Sequence, residues 1–260
     1  EMCIRDSYFT GGLSAVGCSA DEVYTTCYHT MQAKSEQYYR RFPGDRDRMR
    51  AVLDLAASGE LRAPNGDPVS PSRVRSLGHL LGGSGGAEKL HYLLEYEPTS
   101  RCFRYDLADL LPFGGRNVLY TVIHESSYAD GVTTNWAAAR CLPQAFHDDP
   151  TLLTGEHVMP EWFDEDSSLQ PWKDVAQIIA EHPWPTLYDA DALATSQVPC
   201  AAAIYHDDAY VPREYSLQTA ALLPGMRPWV TSQYEHNGSN ASGGGVLDRL
   251  IKLVHGDIVR

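Results

Sequence analysis

The stretch VPCAAAIY at 198–205 runs directly into HDDAY at 206–210. Eight consecutive residues that are apolar or small, with a polar turn at their end, read as a strand buried on both faces of a sheet. Working outward, residues 214–223 have the spacing of a helix, RPWVTSQY at 227–234 reads as a second strand, and Gly243-Gly244-Gly245 as a flexible connection. Val246, Leu247, Leu250, Ile251 and Val254 then mark one face of a strongly amphipathic helix. Strand, helix, strand, helix is the order of a parallel sheet covered by helices.

At the other end of the chain, Tyr8-Phe9-Thr10 before Gly11-Gly12 reads as the tail of a further strand leaving into a loop. Ser19-Ala20-Asp21-Glu22 is a capping box, in which the hydroxyl and the carboxylate satisfy free amides at a helix start. Val23, Cys27 and Met31 continue one helical face, and Pro43-Gly44 ends it. A second helix carries Met49, Val52, Leu53 and Ala56, and the turn cluster Pro64-Asn65-Gly66-Asp67-Pro68 follows. Helical spacing resumes at Val74, Leu77 and Leu81, at Leu90, Leu93 and Leu94, and through 115–128 and 131–140. The expectation is an α/β core interrupted by a large helical insertion.

Composition sets outer limits. The chain has 260 residues, 43% of them hydrophobic and 21% charged, with a formal net charge of −13. No apolar run reaches the roughly 20 residues of a membrane helix. So acidic a chain lacks the basic face that phosphates require, so nucleic acid is excluded as a general partner. Six cysteines are scattered with no C-x-x-C pair, which signals neither zinc nor a redox motif and suits reduced thiols of an intracellular protein. The chain opens on Glu1 rather than Met, and residues 1–7 (EMCIRDS) read as a non-native leader.

Ligands of parallel sheets bind beyond the carboxyl ends of the strands. One such end carries Asp207 and Asp208, the next Glu235-His236-Asn237. An aspartate and, twenty-eight residues later, a histidine on neighbouring strand ends match the second half of a Ser…Asp…His triad in the chain order of α/β-hydrolases. A turn-capping Asp208 and a plain loop histidine explain the same spacing. A G-x-S-x-G string exists at 82–86, but the residues before Ser84 have helical spacing and no β-branched side chain, so a glycine-rich link between helices accounts for it at least as well. His124-Glu125 is not followed by the second histidine of a zincin motif, and His206-Asp207 lacks a third ligand, so no metal or other cofactor is implied. Asn237 and Asn240 match the glycosylation acceptor pattern, where a glycan beside His236 would obstruct the strand end.

Several longer stretches carry a more specific signal: TGGL at 10–13, SADEVY at 19–24, EKLHYLLE at 88–95, HESSYADG at 124–131, LTGEHVMPEWFDED at 153–166, VPCAAAIYHDDAYVPRE at 198–214 and RPWVTSQYEHNG at 227–238. Together they resemble the proline iminopeptidase family, serine aminopeptidases of the α/β-hydrolase fold, over about residues 8–256. The resemblance implies a partial α/β-hydrolase core with a large helical cap: the end of a core strand at 8–16, the cap at 17–196 and the C-terminal part of the core at 197–260. It implies that Asp208 is the triad acid and His236 the general base, that the serine nucleophile lies upstream of residue 1, and that the chain by itself is inactive. Glu125 and Glu156 are the implied readers of the substrate's free amino group, and Tyr128, Trp136, Trp162 and Phe163 the candidate walls of a pyrrolidine pocket. The implied partner is a small peptide with a free N-terminus, in the cytoplasm, with no membrane and no nucleic acid. The competing expectations are an esterase or amidase of other specificity on the same fold, and a non-catalytic helical binding module in which Asp208 and His236 are far apart.

Overall fold

A computed structural model describes residues 5–259. Residues 1–4 of the stretch read as a leader lie outside the described residues, whereas Ser7 belongs to the first strand.

Three parallel strands form one sheet in the order β1 (Ser7–Phe9), β2 (Cys200–Tyr205), β3 (Met226–Thr231). β2 lies in the middle, with Ser7 opposite Cys200 on one side and Cys200 opposite Met226 on the other. All six of its residues are buried. Their alternation decides which helix goes where: Ala202 and Ile204 pack with Leu13 and with Ala220 of the helix Arg213–Leu222. Ala201, Ala203 and Tyr205 pack on the other face with Val246, Leu250 and Leu253 of the helix Gly245–His255. Alanines on both faces let both helices approach closely, which is why a run without large side chains serves as the central strand. β3 is an edge with Arg227 and Pro228 exposed, a position that tolerates a proline without a ladder donor. It is shorter than the expected 227–234. The Thr231 hydroxyl accepts from the Gln233 amide at 3.2 Å, and this local bond turns the chain out of the sheet ahead of His236.

The remaining chain is mostly helical. Helix α1 (Ala20–Arg41) begins at the expected capping box, with Ser19 N–H donating to Glu22 Oε2 at 2.8 Å and Glu22 N–H to Ser19 Oγ at 3.3 Å. It buries Val23, Cys27 and Met31 together with Tyr24, Tyr28 and Tyr38. Helix α2 (Asp45–Ala57) buries Met49, Val52, Leu53 and Ala56, as its spacing requires. Fully burying a side chain such as Met49 or Leu77 contributes about 1.5–3 kcal/mol. The core they form also takes in Ala209 and Tyr210, so it continues into the loop after β2 and ties that loop to the helices.

The expected helices 115–128 and 131–140 form only in part. The first is broken into turns at Gly115–Asn117, Val118–Ile123 and His124–Tyr128. In the second only Ala137–Arg140 is helical, because Gly131, Asn135 and Trp136 all have positive φ (70°, 49° and 57°). The Arg140 guanidinium holds that irregular turn by donating to the carbonyls of Asn135 and Thr134. The segment with Val74, Leu77 and Leu81 is a five-residue helix, Pro71–Arg75, continued by a tighter 3₁₀ stretch, Ser76–Gly82. The five described cysteines are all free thiols. Among the described residues no helix is long and apolar enough to cross a membrane.

Candidate active site

The loop after β2 separates two adjacent acids. Asp207 faces solvent and pairs with the exposed His206 at 2.8 Å. Asp208 turns inward and is 2% exposed. Its Oδ1 accepts the amides of Tyr210 and Val211 at 2.9 and 3.0 Å, and its Oδ2 lies 2.8 Å from His236 Nδ1. An ionised carboxylate only accepts, so Nδ1 carries the imidazole proton and Nε2 keeps its lone pair. The loop histidine and turn cap of the simpler reading are thus one hydrogen-bonded unit, and the expectation that they lie far apart fails.

Three groups hold the imidazole. The His236 amide donates to the Gly82 carbonyl at 3.0 Å. The ring stands edge-on to Tyr210, centroids 5.1 Å apart. Gly11, just past β1, backs it so closely that a Cβ there would lie 3.1 Å from Cε1. Burial by itself lowers the pKa of His236, but the hydrogen bond and charge of Asp208, with the charge of Glu156, outweigh it and leave the pKa above the ordinary value.

The string at 82–86 does not have the setting of a nucleophile elbow. A 3₁₀ stretch rather than a strand precedes it, and Ser84 is exposed. Its glycines have packing reasons. A Cβ on Gly82 would fall 2.1 Å from the Tyr210 ring, and one on Gly86 would run into the Leu80 carbonyl. The Ser84 amide donates to Asn237 Oδ1 at 2.9 Å. The string is a small-residue link that lies against the histidine loop.

Two cavities meet at this point. One, of about 300 Å³, is lined by His79, Ser84, Lys89, Glu156, Tyr210 and His236 among others. The other, of about 260 Å³, is lined by Gly11, Tyr120, Tyr128, Glu156, Tyr188 and Tyr210 among others. Glu156 and Tyr210 belong to both. The Glu156 carboxylate accepts from the Tyr120 hydroxyl at 2.9 Å and lies 3.8 Å from His79 Nδ1. Burial lowers the pKa of His79, which favours its neutral form beside that carboxylate. The result is one histidine, one buried carboxylate bonded to its Nδ1 and a second carboxylate that borders both cavities.

Over 96% of its length the chain is 35% identical to a protein named proline iminopeptidase from Aeromonas sobria, covering 61% of that protein. Over 95% of its length it is 24% identical to the proline iminopeptidase aneH of Aspergillus aculeatus, covering 58% of that protein. Both relatives carry the name proline iminopeptidase, and the chain is similar to that family. It spans about three fifths of the length of these curated relatives. No family model matches the chain.

The two glutamates that the proline iminopeptidase resemblance singled out occupy different places. Glu156 borders both cavities. Glu125 is 7% exposed and lies behind the wall, where its Oε2 accepts the Ala138 amide at 3.1 Å and its Oε1 has no hydrogen-bond partner among the described residues. His124, beside it, reaches the Glu156 carbonyl with its Nε2 at 3.0 Å, so a side chain of one segment meets the backbone of the other. Of the four candidate aromatics, Tyr128 lines a cavity. Trp162 and Phe163 are fully buried core, and Trp136 packs against that cluster. Beside Tyr128, the cavity wall carries four tyrosines that sequence reasoning missed, Tyr120, Tyr188, Tyr210 and Tyr215. Tyr210 had a local signal, two residues beyond Asp208; the others had none.

Proposed function

We propose that this chain carries the acid–base part of a serine aminopeptidase that releases N-terminal proline from small peptides, on a partial α/β-hydrolase core beneath a helical cap. The hydrogen bond from His236 Nδ1 to the Asp208 carboxylate, at the edge of a cavity faced by Glu156, is the observation that carries this reading. The relatives' shared name supports the substrate class.

In this reading a serine outside the stretch resembling the family attacks the carbonyl of the N-terminal residue. His236 Nε2 accepts the serine proton, and the buried Asp208 carboxylate stabilises the imidazolium that results. The imidazolium then protonates the leaving amine, and in the second half-reaction His236 activates water against the acyl-enzyme. Glu156 holds the cationic amino group, since a partly desolvated ion pair discriminates against blocked ends. Its place on both cavities supports that role. Glu125, bonded to the Ala138 amide behind the wall, is assigned to holding Glu156's surroundings in place rather than to direct contact.

The test is turnover by a protein that joins this chain to the serine-bearing portion of its family. The expected result is cleavage of a prolyl amide, lost with Glu156→Gln mainly through KM and with His236→Gln mainly through kcat, and untouched by Ser84→Ala. Ready turnover of simple acyl esters with prolyl amides left intact would show an esterase instead.

A further inference from the structure

The loop that carries His236 is bound to α1 by an ion pair. Lys34 lies on the buried side of α1 and is 6% exposed, an unusual place for a lysine. Its ammonium lies 2.6 Å from Glu235 Oε2, across 201 residues of sequence. Glu235 is the residue before His236. Lys34 also lines a groove with His206, Asp207 and Asp208, so one lysine borders the surroundings of both Asp208 and His236. β3 has ended at Thr231 before this loop begins, so no strand ladder holds it. Besides the bond to Asp208, three contacts that hold it come from the helical region: Lys34 on Glu235, the Gly82 carbonyl on the His236 amide, and the Ser84 amide on Asn237.

We propose that Lys34 is a positioning residue for His236: its buried ammonium anchors Glu235 and thereby fixes the loop so that Nδ1 meets Asp208. The inference rests on His236 being the base, and it adds that the helical region takes part in setting that base in place. The Lys34 ammonium is removed from water and satisfied by one carboxylate, which makes it a directional anchor: losing Glu235, itself 36% exposed, leaves that ammonium buried and unpaired. The groups facing the imidazole from its other sides are Asp208 and Tyr210 from the loop after β2, Tyr205 from β2, and His79, Lys89 and Glu156 from the helical region.

The experiment is proton and nitrogen NMR of the His236 imidazole in the full chain, as wild type and as Lys34→Arg, Lys34→Met, Glu235→Gln and the apolar double variant Lys34→Met/Glu235→Leu, each with its melting temperature. The wild type is expected to show a sharp low-field Nδ1 proton from the bond to Asp208. Its absence there would overturn the proposed function itself. With that signal present, Lys34→Arg should keep it, while Lys34→Met and the double variant should broaden or lose it. The single variants should shift the imidazole titration in opposite directions: upward with Lys34→Met, which leaves a carboxylate unpaired, and downward with Glu235→Gln, which leaves an ammonium. General destabilisation would move both the same way. Should the single variants fail to fold, the double variant decides, because an apolar pair can replace a buried ion pair without loss of stability. A sharp Nδ1 signal in the folded double variant overturns the proposal; a lost signal at near-native melting temperature supports it.

Discussion

His236 and His157 are the same side chain in two regions of one molecule, and the regions drive them in opposite directions. At the end of the sheet, His236 meets the buried Asp208 carboxylate, and its pKa rises despite burial. Among the helices, His157 is 1% exposed between the rings of Tyr24 and Tyr28, with Nδ1 accepting the Gly155 amide at 3.0 Å. Among the described residues no carboxylate answers it, and burial, with His124 and Arg75 acting in the same sense, pushes its pKa down to about 3. Burial alone produces a neutral, structural histidine. Burial beside an acid whose other oxygen is already committed to backbone amides produces a base with a fixed tautomer. The difference lies in the loop after β2, which places a carboxylate where the helical region offers only aromatic rings.

Replacing the acid should break the comparison most strongly. In Asp208→Asn the side-chain oxygen still accepts from Tyr210 and Val211, so the fold should survive. The amide nitrogen then faces His236 Nδ1 and forces the proton onto Nε2, the wrong tautomer for a base. The expected loss is about 10⁴-fold in kcat, or ~5 kcal/mol, in the serine-bearing protein. A loss below tenfold, with unchanged melting temperature, would mean that Asp208 does not orient the base.

The second effect belongs to His157. Its folded pKa is depressed, so above pH 6.5 it is neutral in both states and costs nothing. Between pH 6.5 and 3 the unfolded chain binds a proton that the folded chain refuses, so stability falls as pH falls. From this group alone the loss between pH 7 and 4.5 is on the order of 2–3 kcal/mol. His157→Gln, whose side-chain oxygen can still accept the Gly155 amide, should flatten that part of the acid limb. Urea midpoints at the two pH values in both proteins measure it.

How much of this was legible beforehand follows the same regional division. β2, its two flanking helices and the start of α1 were readable because a buried alanine-rich run, an amphipathic repeat and a capping box are local patterns. Asp208 and His236 were readable through their positions at strand ends. The irregular stretch from 115 to 136 was not, because the positive φ values of Asn135 and Trp136 are held by Arg140, a contact that propensity does not encode. Nor could sequence separate Glu156 from Glu125, since both stand among aromatics and only the packing decides which one faces a cavity. Lys34 reads as an ordinary surface lysine of a helix; its partner is 201 residues away.

Gly82 links the two regions more cheaply, and the next effect is smaller. Gly82→Ala would push a methyl into the Tyr210 ring, 2.1 Å from Cζ, in the residue whose carbonyl receives the His236 amide. The expected cost is about 1–3 kcal/mol of stability, with turnover falling as well because His236 shifts with its support. Gly83→Ala is the control. Its nearest neighbour outside the chain's own turn would be Asn237 at 3.6 Å, an ordinary contact, so its effect should stay within about 0.5 kcal/mol.

The smallest effect is the mirror image of His157. The folded pKa of His236 is raised, so its pairing with Asp208 adds stability that is fully present below the unfolded value near 6.5 and is lost as pH rises through the folded value. Wild type should therefore weaken slightly on the alkaline side of 6.5, and Asp208→Asn should remove that slope while leaving the acid limb of His157 intact. The imidazole is a third exposed, so solvent screening keeps this slope well below the acidic one. Denaturation midpoints from pH 6 to 9 in both proteins compare the two limbs directly. An alkaline slope that persists in Asp208→Asn would mean that the charge holding the His236 proton comes from Glu156 rather than from the acid bonded to Nδ1.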